Sequence, residues 1–245
     1  GIMRYLPILF LLLFFILPIV IWVVKYKSSF TGDFIFNPPF PRQLATTYLF
    51  SLITAVASVV IAYPLALTWW IKKRNVFSRV VLALVFVPFA LGLITRNYTW
   101  MSILSYTDIG YSFKAVIIVM VYIFIPFAFF ILIQGFTTIP SSNLEAAKIM
   151  GANLFESFRK IVLPQTQRQI FISGFLVFTN SLCYYITPAM IGGGNYDMTG
   201  NVIWQYVDRG LFTEASGISI AFVVYMIPVF IFALYFIIKR KKRAS

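Results

Sequence analysis

Apolar residues fill most of this chain in six long blocks, and the polar residues between them come in short runs. The blocks fall at about 5–24, 45–71, 80–95, 115–137, 169–191 and 219–239, and the core of each lacks Asp, Glu, Lys and Arg. About 20 consecutive apolar residues in an α-helix cross the hydrocarbon of a bilayer, so each block is read as a spanning helix. A charge at the bilayer centre costs about 2.5–3.5 kcal/mol on insertion scales, which is why its absence from the blocks is informative. The pattern predicts an all-α membrane protein of six transmembrane helices, a single domain over residues 1–245. The first block is too long for a signal-peptide core and no small-residue cleavage site follows it, so it is read as a retained span. Gly1 and Ile2 ahead of Met3 are read as a truncated or added start.

The connections set the expected orientation. One side carries Arg4, Lys72, Lys73, Arg74, Arg79, Lys148, Arg159, Lys160, Arg168 and the tail Lys239, Arg240, Lys241, Lys242 and Arg243. The other carries Lys25, Lys27, Arg42, Arg96, Lys114 and Arg209. Basic residues accumulate on the cytoplasmic side of a membrane, so the first side, with both termini, is expected inside. Trp69 and Trp70 beside Lys72 fit the aromatic belt at that interface. Each block also holds at least one proline: Pro18, Pro64, Pro88, Pro126, Pro188 and Pro228. Proline removes a helix hydrogen bond and bends the rod, which would suit helices curved around a path; it is also simply common in membrane helices.

Composition then narrows the chemistry. The chain is 60% hydrophobic and 11% charged, as expected for a protein whose main solvent is lipid. Its net charge of +13 sits in the short runs between blocks, the pattern of a topology signal rather than of a nucleic-acid surface. There is no histidine and one cysteine, Cys183, so no metal site, disulfide framework or nucleophile–base pair is expected. No GxxxxGK[ST] loop occurs, so any ATP chemistry belongs to another polypeptide.

One connection is unlike the rest. Residues 138–168 form a long loop on the expected cytoplasmic side, containing IPSSNLEAAKIMGANLFESFRKIVLPQTQR. Its chemistry predicts two short helices. Ser142 and Glu145 read as a capping box for the first, Ala146 and Ala147 favour it, and Gly151 stops it. Asn153, with Glu156 three residues on, reads as the cap of the second. That helix carries an apolar stripe of Leu154, Phe155, Phe158, Ile161 and Val162, and Pro164 ends it.

Glu145-Ala146-Ala147, then Gly151, then Ile161-x-Leu163-Pro164 resembles the EAA loop of ABC importer permeases. The resemblance implies the type I importer bundle, in which this loop is a coupling helix seated in a groove of the ATPase subunit. By position, Glu145, Ala146, Ala147, Gly151, Ala152, Phe155, Leu163 and Pro164 make up the docking loop. Phe155, Phe158, Ile161 and Leu163 would also hold it against its own bundle. For Glu145, completing the capping box alone is the plainer role. The resemblance further implies a second, similar permease, two ATPase subunits that bind ATP and magnesium, an external substrate-binding protein and a bacterial inner membrane. This chain itself would carry no cofactor.

Val87-Pro88-Phe89, the run Leu93 to Tyr98, and Tyr185-Ile186-Thr187-Pro188-Ala189-Met190-Ile191-Gly192-Gly193 are similar to segments of spermidine/putrescine-type permeases. That group also handles opines, phosphonates, thiamine and ferric iron. The expected translocation path is drawn from uncharged polar and aromatic residues: Tyr98, Trp100, Gln134, Asn180, Tyr184, Tyr185 and Thr187, whose plainer role is packing. Aromatic faces can hold ammonium groups. Asp197 and Asp208 are placed at the outer mouth, and 201–209 is expected to form a short helix beside it. Gly192-Gly193-Gly194 reads as a flexible turn, or as close backbone approach to the path. An ion-coupled secondary transporter or a channel subunit would need intramembrane acids, a charged ring or a filter loop, and none is evident.

Overall fold

The computed structural model describes residues 6–27, 40–72 and 75–244, and every regular element among them is a helix. Arg4, Asp33, Lys73 and Arg74 lie outside the described residues, as do the side chains of Lys148, Leu154 and the basic tail 239–243. The chain opens with α1 (Leu6–Leu11), a π turn (Leu12–Ile16) and α2 (Leu17–Lys25). There follow α3 (Pro41–Ile71), α4 (Val76–Ala90), α5 (Leu93–Leu104) and α6 (Phe113–Thr137). The long loop contains α7 (Ser141–Ile149), α8 (Leu154–Ser157) and a second π turn (Phe158–Val162). Then come α9 (Leu163–Leu182), α10 (Ile186–Ile191), α11 (Thr199–Asp208) and α12 (Phe212–Ala244).

Among the described residues, four continuous stretches are long and apolar enough to cross a membrane: Pro7–Lys25, Pro41–Ile71, Phe113–Thr137 and Phe212–Ala233. The third and fifth blocks differ from the expected single rods. The third was expected to run through 80–95, yet α4 stops at Ala90 and the axis turns by 101° into α5. Leu91 is extended (φ −77°, ψ 142°) and Gly92 follows with ψ 148°. Ala90 to Leu93 is apolar throughout, so hydropathy cannot register this turn. The fifth block, expected over 169–191, is interrupted between Leu182 and Ile186. Pro188 supplies a reason: its ring would clash with the Tyr184 carbonyl if the helix continued, whereas in the first turn of α10 it needs no donor.

The chain divides into two compact units, one within Gly1–Pro41 and Val202–Pro228, the other within Arg42–Asn201 and Val229–Ser245. In the first, the side chains of the Pro7–Lys25 stretch are largely exposed, while the Trp22 indole donates to Ser216 Oγ at 3.2 Å. In the second, α6 is the central rod, burying Val116, Met120, Phe124, Phe129 and Leu132 among others. α9 lies along it. Ser173 of α9 donates to the Ala128 carbonyl at 3.3 Å, and Ser58 of α3 to that of Val121 at 3.5 Å. A Cβ at Gly135 would sit 2.6 Å from Cγ of Gln169, so glycine is what lets α6 and α9 meet there.

The interruption between α9 and α10 is closed by side chains. Asn97 of α5 donates to the Tyr184 hydroxyl at 3.0 Å and accepts from Thr187 Oγ1 at 2.5 Å. Its amide also reaches the Leu93 carbonyl of its own helix at 2.8 Å. Asn201 donates to the Tyr185 carbonyl at 2.9 Å and accepts from the Met198 N–H at 2.9 Å. The N–H of Thr199, at the start of α11, donates to Thr47 Oγ1 at 2.7 Å. Backbone groups at helix ends are costly in an apolar medium unless they find partners, and Asn201 and Thr47 supply them for the Tyr185 carbonyl and the Met198 and Thr199 N–H groups.

Two outcomes follow. Asn97→Leu leaves the hydroxyls of Tyr184 and Thr187 without their partner, and should lower stability by about 1–2 kcal/mol in thermal unfolding of the detergent-solubilised protein. Gly135→Val should cost about 1–3 kcal/mol in the same assay by forcing α6 from α9.

Candidate functional site

The loop between α6 and α9 is built by local rules that its sequence states openly. α7 ends where Gly151 takes φ +80°. The Met150 N–H makes the last ordinary helical bond to the Ala146 carbonyl at 3.0 Å, and the Ala152 N–H then donates back to the Ala147 carbonyl at 2.9 Å, the six-to-one bond of a Schellman motif. A Cβ at Gly151 would meet nothing within 4 Å, so glycine is needed there for backbone conformation alone. Asn153 and Glu156 form the expected reciprocal box: the Glu156 N–H donates to Asn153 Oδ1 at 2.8 Å, and the Asn153 N–H to Glu156 Oε2 at 3.3 Å. Lys160 lies 3.7 Å from Glu156 as an exposed pair, which contributes little.

Two local expectations are corrected. Ser142 does not cap α7, because the helix already begins at Ser141 and leaves Ser142 inside its first turn. Pro164 does not end the second helix. The chain runs from α8 through the π turn at Phe158–Val162 directly into α9, with Pro164 in its first turn. The Leu163 N–H bonds to the Phe158 carbonyl, five residues back, so the widened turn makes room for a residue that has no N–H and needs space below it. The same device precedes Pro18, where the Leu17 N–H reaches the Leu12 carbonyl.

The docking residues separate by exposure. Glu145, Ala146, Gly151 and Pro164 are exposed, Ala152 and Leu163 are half-buried, and Ala147 is buried. Ile149 and Met150 at the tip of α7 are 87% and 80% exposed. Phe155 is 68% exposed, so it joins this outward surface rather than the expected anchor. The anchor is made by buried Val162 with half-buried Phe158 and Ile161. Between α3 and the loop lies a cavity of about 360 Å³, lined by Leu67 and Trp70 of α3, Leu144 of α7, and Phe155, Ser157 and Phe158. Ile149 and Met150 were not picked out from sequence, although two adjacent large apolar residues just before a helix-stopping glycine are a usable signal.

The expected path residues do not form one site. Tyr184 and Thr187 meet at Asn97, which sequence reasoning had placed only in a family-like run. The Tyr184 ring also meets Phe124 edge-on, 5.5 Å between centroids. Trp100 packs edge-on against Tyr122 at 5.3 Å, while Tyr98 on the same helix is exposed. Tyr185 is half-buried beside Asn201. Gln134 and Asn180 are exposed, and the Asn180 amide is turned back on the Leu176 carbonyl at 2.8 Å. Asp197 is half-buried in the loop before α11, and Asp208 is exposed at its end. The expected short helix is observed at Thr199–Asp208, and positive φ at Gly193 and Gly194 forms the turn ahead of it. Arg96, expected at an outer surface, is 5% exposed, and its Nε and Nη1 have no hydrogen-bond partner among the described residues. A cleft of about 510 Å³ between α3, α9 and α12, lined by Val56, Val59, Phe171, Gly174, Phe175 and Phe232, contains none of the expected path residues.

Known proteins align with this arrangement. The family model for the binding-protein-dependent transport system inner membrane component matches residues 58–243. The spermidine/putrescine transport system permease protein PotB of Haemophilus influenzae is 26% identical over 219 residues, covering 82% of this chain and 76% of the relative. That of Escherichia coli K12 is 28% identical over 199 residues, covering 72% and 71%. Among solved structures, a chain of the MetNI methionine ABC transporter in inward-facing conformations superposes with a TM-score of 0.65 at 18% identity, covering 83% of this chain and 95% of that one. The two chains thus share a fold. Because the family match takes in both the loop and the interrupted helix beyond it, the chain belongs to the binding-protein-dependent transport system inner membrane components.

Proposed function

We propose that this chain is the permease subunit of an ATP-driven importer for polyamines such as spermidine and putrescine, delivered by an external binding protein. The observation that carries the reading is the outward face of the loop. Ile149, Met150 and Phe155 stand exposed around Glu145 and Ala146, on a backbone held by the Gly151 turn and the Asn153–Glu156 box. Exposed large apolar side chains on so well-braced a scaffold mark a protein interface. The EAA pattern directs that interface to an ATPase subunit, which would bind ATP and magnesium and perform the hydrolysis. A second permease would complete the path, with six spans per chain and both termini cytoplasmic. The polyamine cargo is supported by the relatives named for spermidine and putrescine. On this reading aromatic residues such as Tyr98 and Trp100 offer cation–π faces to an ammonium chain, and Asp197 and Asp208 offer negative charge at the outer mouth.

The deciding experiment is co-purification of the ATPase subunit with the reconstituted complex, combined with spermidine uptake. Glu145→Ala and Gly151→Asp should each weaken ATPase retention by about tenfold, equivalent to roughly 1.4 kcal/mol, and uptake should fall with it while the helix bundle stays folded. Unchanged retention and uptake in both variants would make the loop a mere connector. Uncoupled hydrolysis without any spermidine response in the wild type would retain the importer and reject the cargo.

The turn itself makes a separable claim. Gly151→Val should destabilise the loop by about 1–2 kcal/mol, the cost of a left-handed backbone for a residue with a Cβ, whereas Gly151→Asn should cost less. Limited proteolysis of the loop in the intact complex reads that ranking.

A further inference from the structure

Movement of the loop must reach the long helices through specific contacts, and one side chain touches both sides of the π turn. Tyr63 lies on α3, one residue before Pro64. Its ring meets Phe158 edge-on, with centroids 6.1 Å apart and planes at 75°, and it also packs against Phe136 of α6 at 5.2 Å. Its hydroxyl is 2.8 Å from Thr166 Oγ1, at the start of α9. Thr166 is fully buried, and its hydroxyl donates to the Val162 carbonyl at 3.0 Å. A hydroxyl has one proton, so Thr166 accepts from Tyr63 and passes the bond on to the last residue of the π turn.

The π turn is what allows one residue to make both contacts. Phe158 and Thr166 are eight positions apart, which on an α-helix leaves them about 80° off a common face. A π turn acts as an α-turn with one residue inserted, so the spacing counts as seven and the two fall within about 20° of each other. Tyr63 therefore reads the phase of the π turn directly.

We propose that Tyr63, through its hydrogen bond to Thr166 and its ring contact with Phe158, is the positioning residue that hands nucleotide-driven displacement of the loop to α3. The proposal rests on the ATPase-docking reading above. It assigns to α3 a role that neither the loop pattern nor the expected path includes.

The test is amide hydrogen exchange on the complete complex in lipid nanodiscs, with and without ATP and vanadate, reading residues 154–162 and 63–71 separately. In the wild type, nucleotide should change exchange in both segments. Tyr63→Phe and Thr166→Val each remove one hydroxyl and keep the bulk; both should retain the response at 154–162 and reduce that at 63–71 by about threefold. Thr166→Ser keeps the hydroxyl and should match the wild type. A full response at 63–71 in both Tyr63→Phe and Thr166→Val overturns the proposal, even if those variants melt earlier, because a purely structural bond would affect stability alone. Absence of any nucleotide response at 154–162 in the wild type is a different failure: it removes the docking reading, and the handover falls with it.

Discussion

The seam between α6 and α9 is the contact on which the larger unit depends. In apolar surroundings there is no hydrophobic drive to bring two helices together, so close approach and hydrogen bonds must do it. Both are present: Gly135 admits Gln169, and Ser173 donates across the seam to Ala128. One end of α9 continues from the π turn and the loop, and the other leads into the break at Cys183–Tyr185.

At the break, the structure resolves a conflict between backbone and solvent. Pro188 disfavours a continuous helix, and the ends of α9, α10 and α11 leave carbonyls and N–H groups to be satisfied. Asn201 takes the Tyr185 carbonyl, Thr47 takes the Thr199 N–H, and Asn97 ties the hydroxyls of Tyr184 and Thr187 to α5. Tyr184 and Thr187, both expected in the path, are thus hydrogen-bonded within the bundle. The buried Arg96 beside Asn97 is an exception, since its Nε and Nη1 remain without a hydrogen-bond partner among the described residues.

In the loop, the π turn explains both the strongest and the weakest parts of a reading by periodicity. A single apolar stripe from Leu154 to Val162 assumes 3.6 residues per turn throughout. The observed stripe divides between Phe155, in α8, and the π turn that begins at Phe158. Phe155 faces outward with Ile149 and Met150, while Phe158 and Val162 turn inward to Tyr63 and the bundle. The same insertion brings Thr166 under Tyr63.

How much was legible in advance follows the range of the forces involved. The apolar blocks, the glycine stop at Gly151 and the Asn153–Glu156 box are short-range features, governed by transfer to lipid and by backbone sterics within a few residues. The chain therefore determined them by itself, along with the spacing that placed it in its family. The turn after Ala90, the passage of the helix through Pro164, the outward face of Phe155, and the pairing of Tyr63 with Thr166 and of Asn97 with Thr187 were decided only by tertiary structure. Those pairs lie 103 and 90 positions apart in the chain. Hydropathy is blind to a turn between apolar residues, and periodicity is blind to an inserted one; only the packing of other helices against these segments selects among conformations that are locally near in energy.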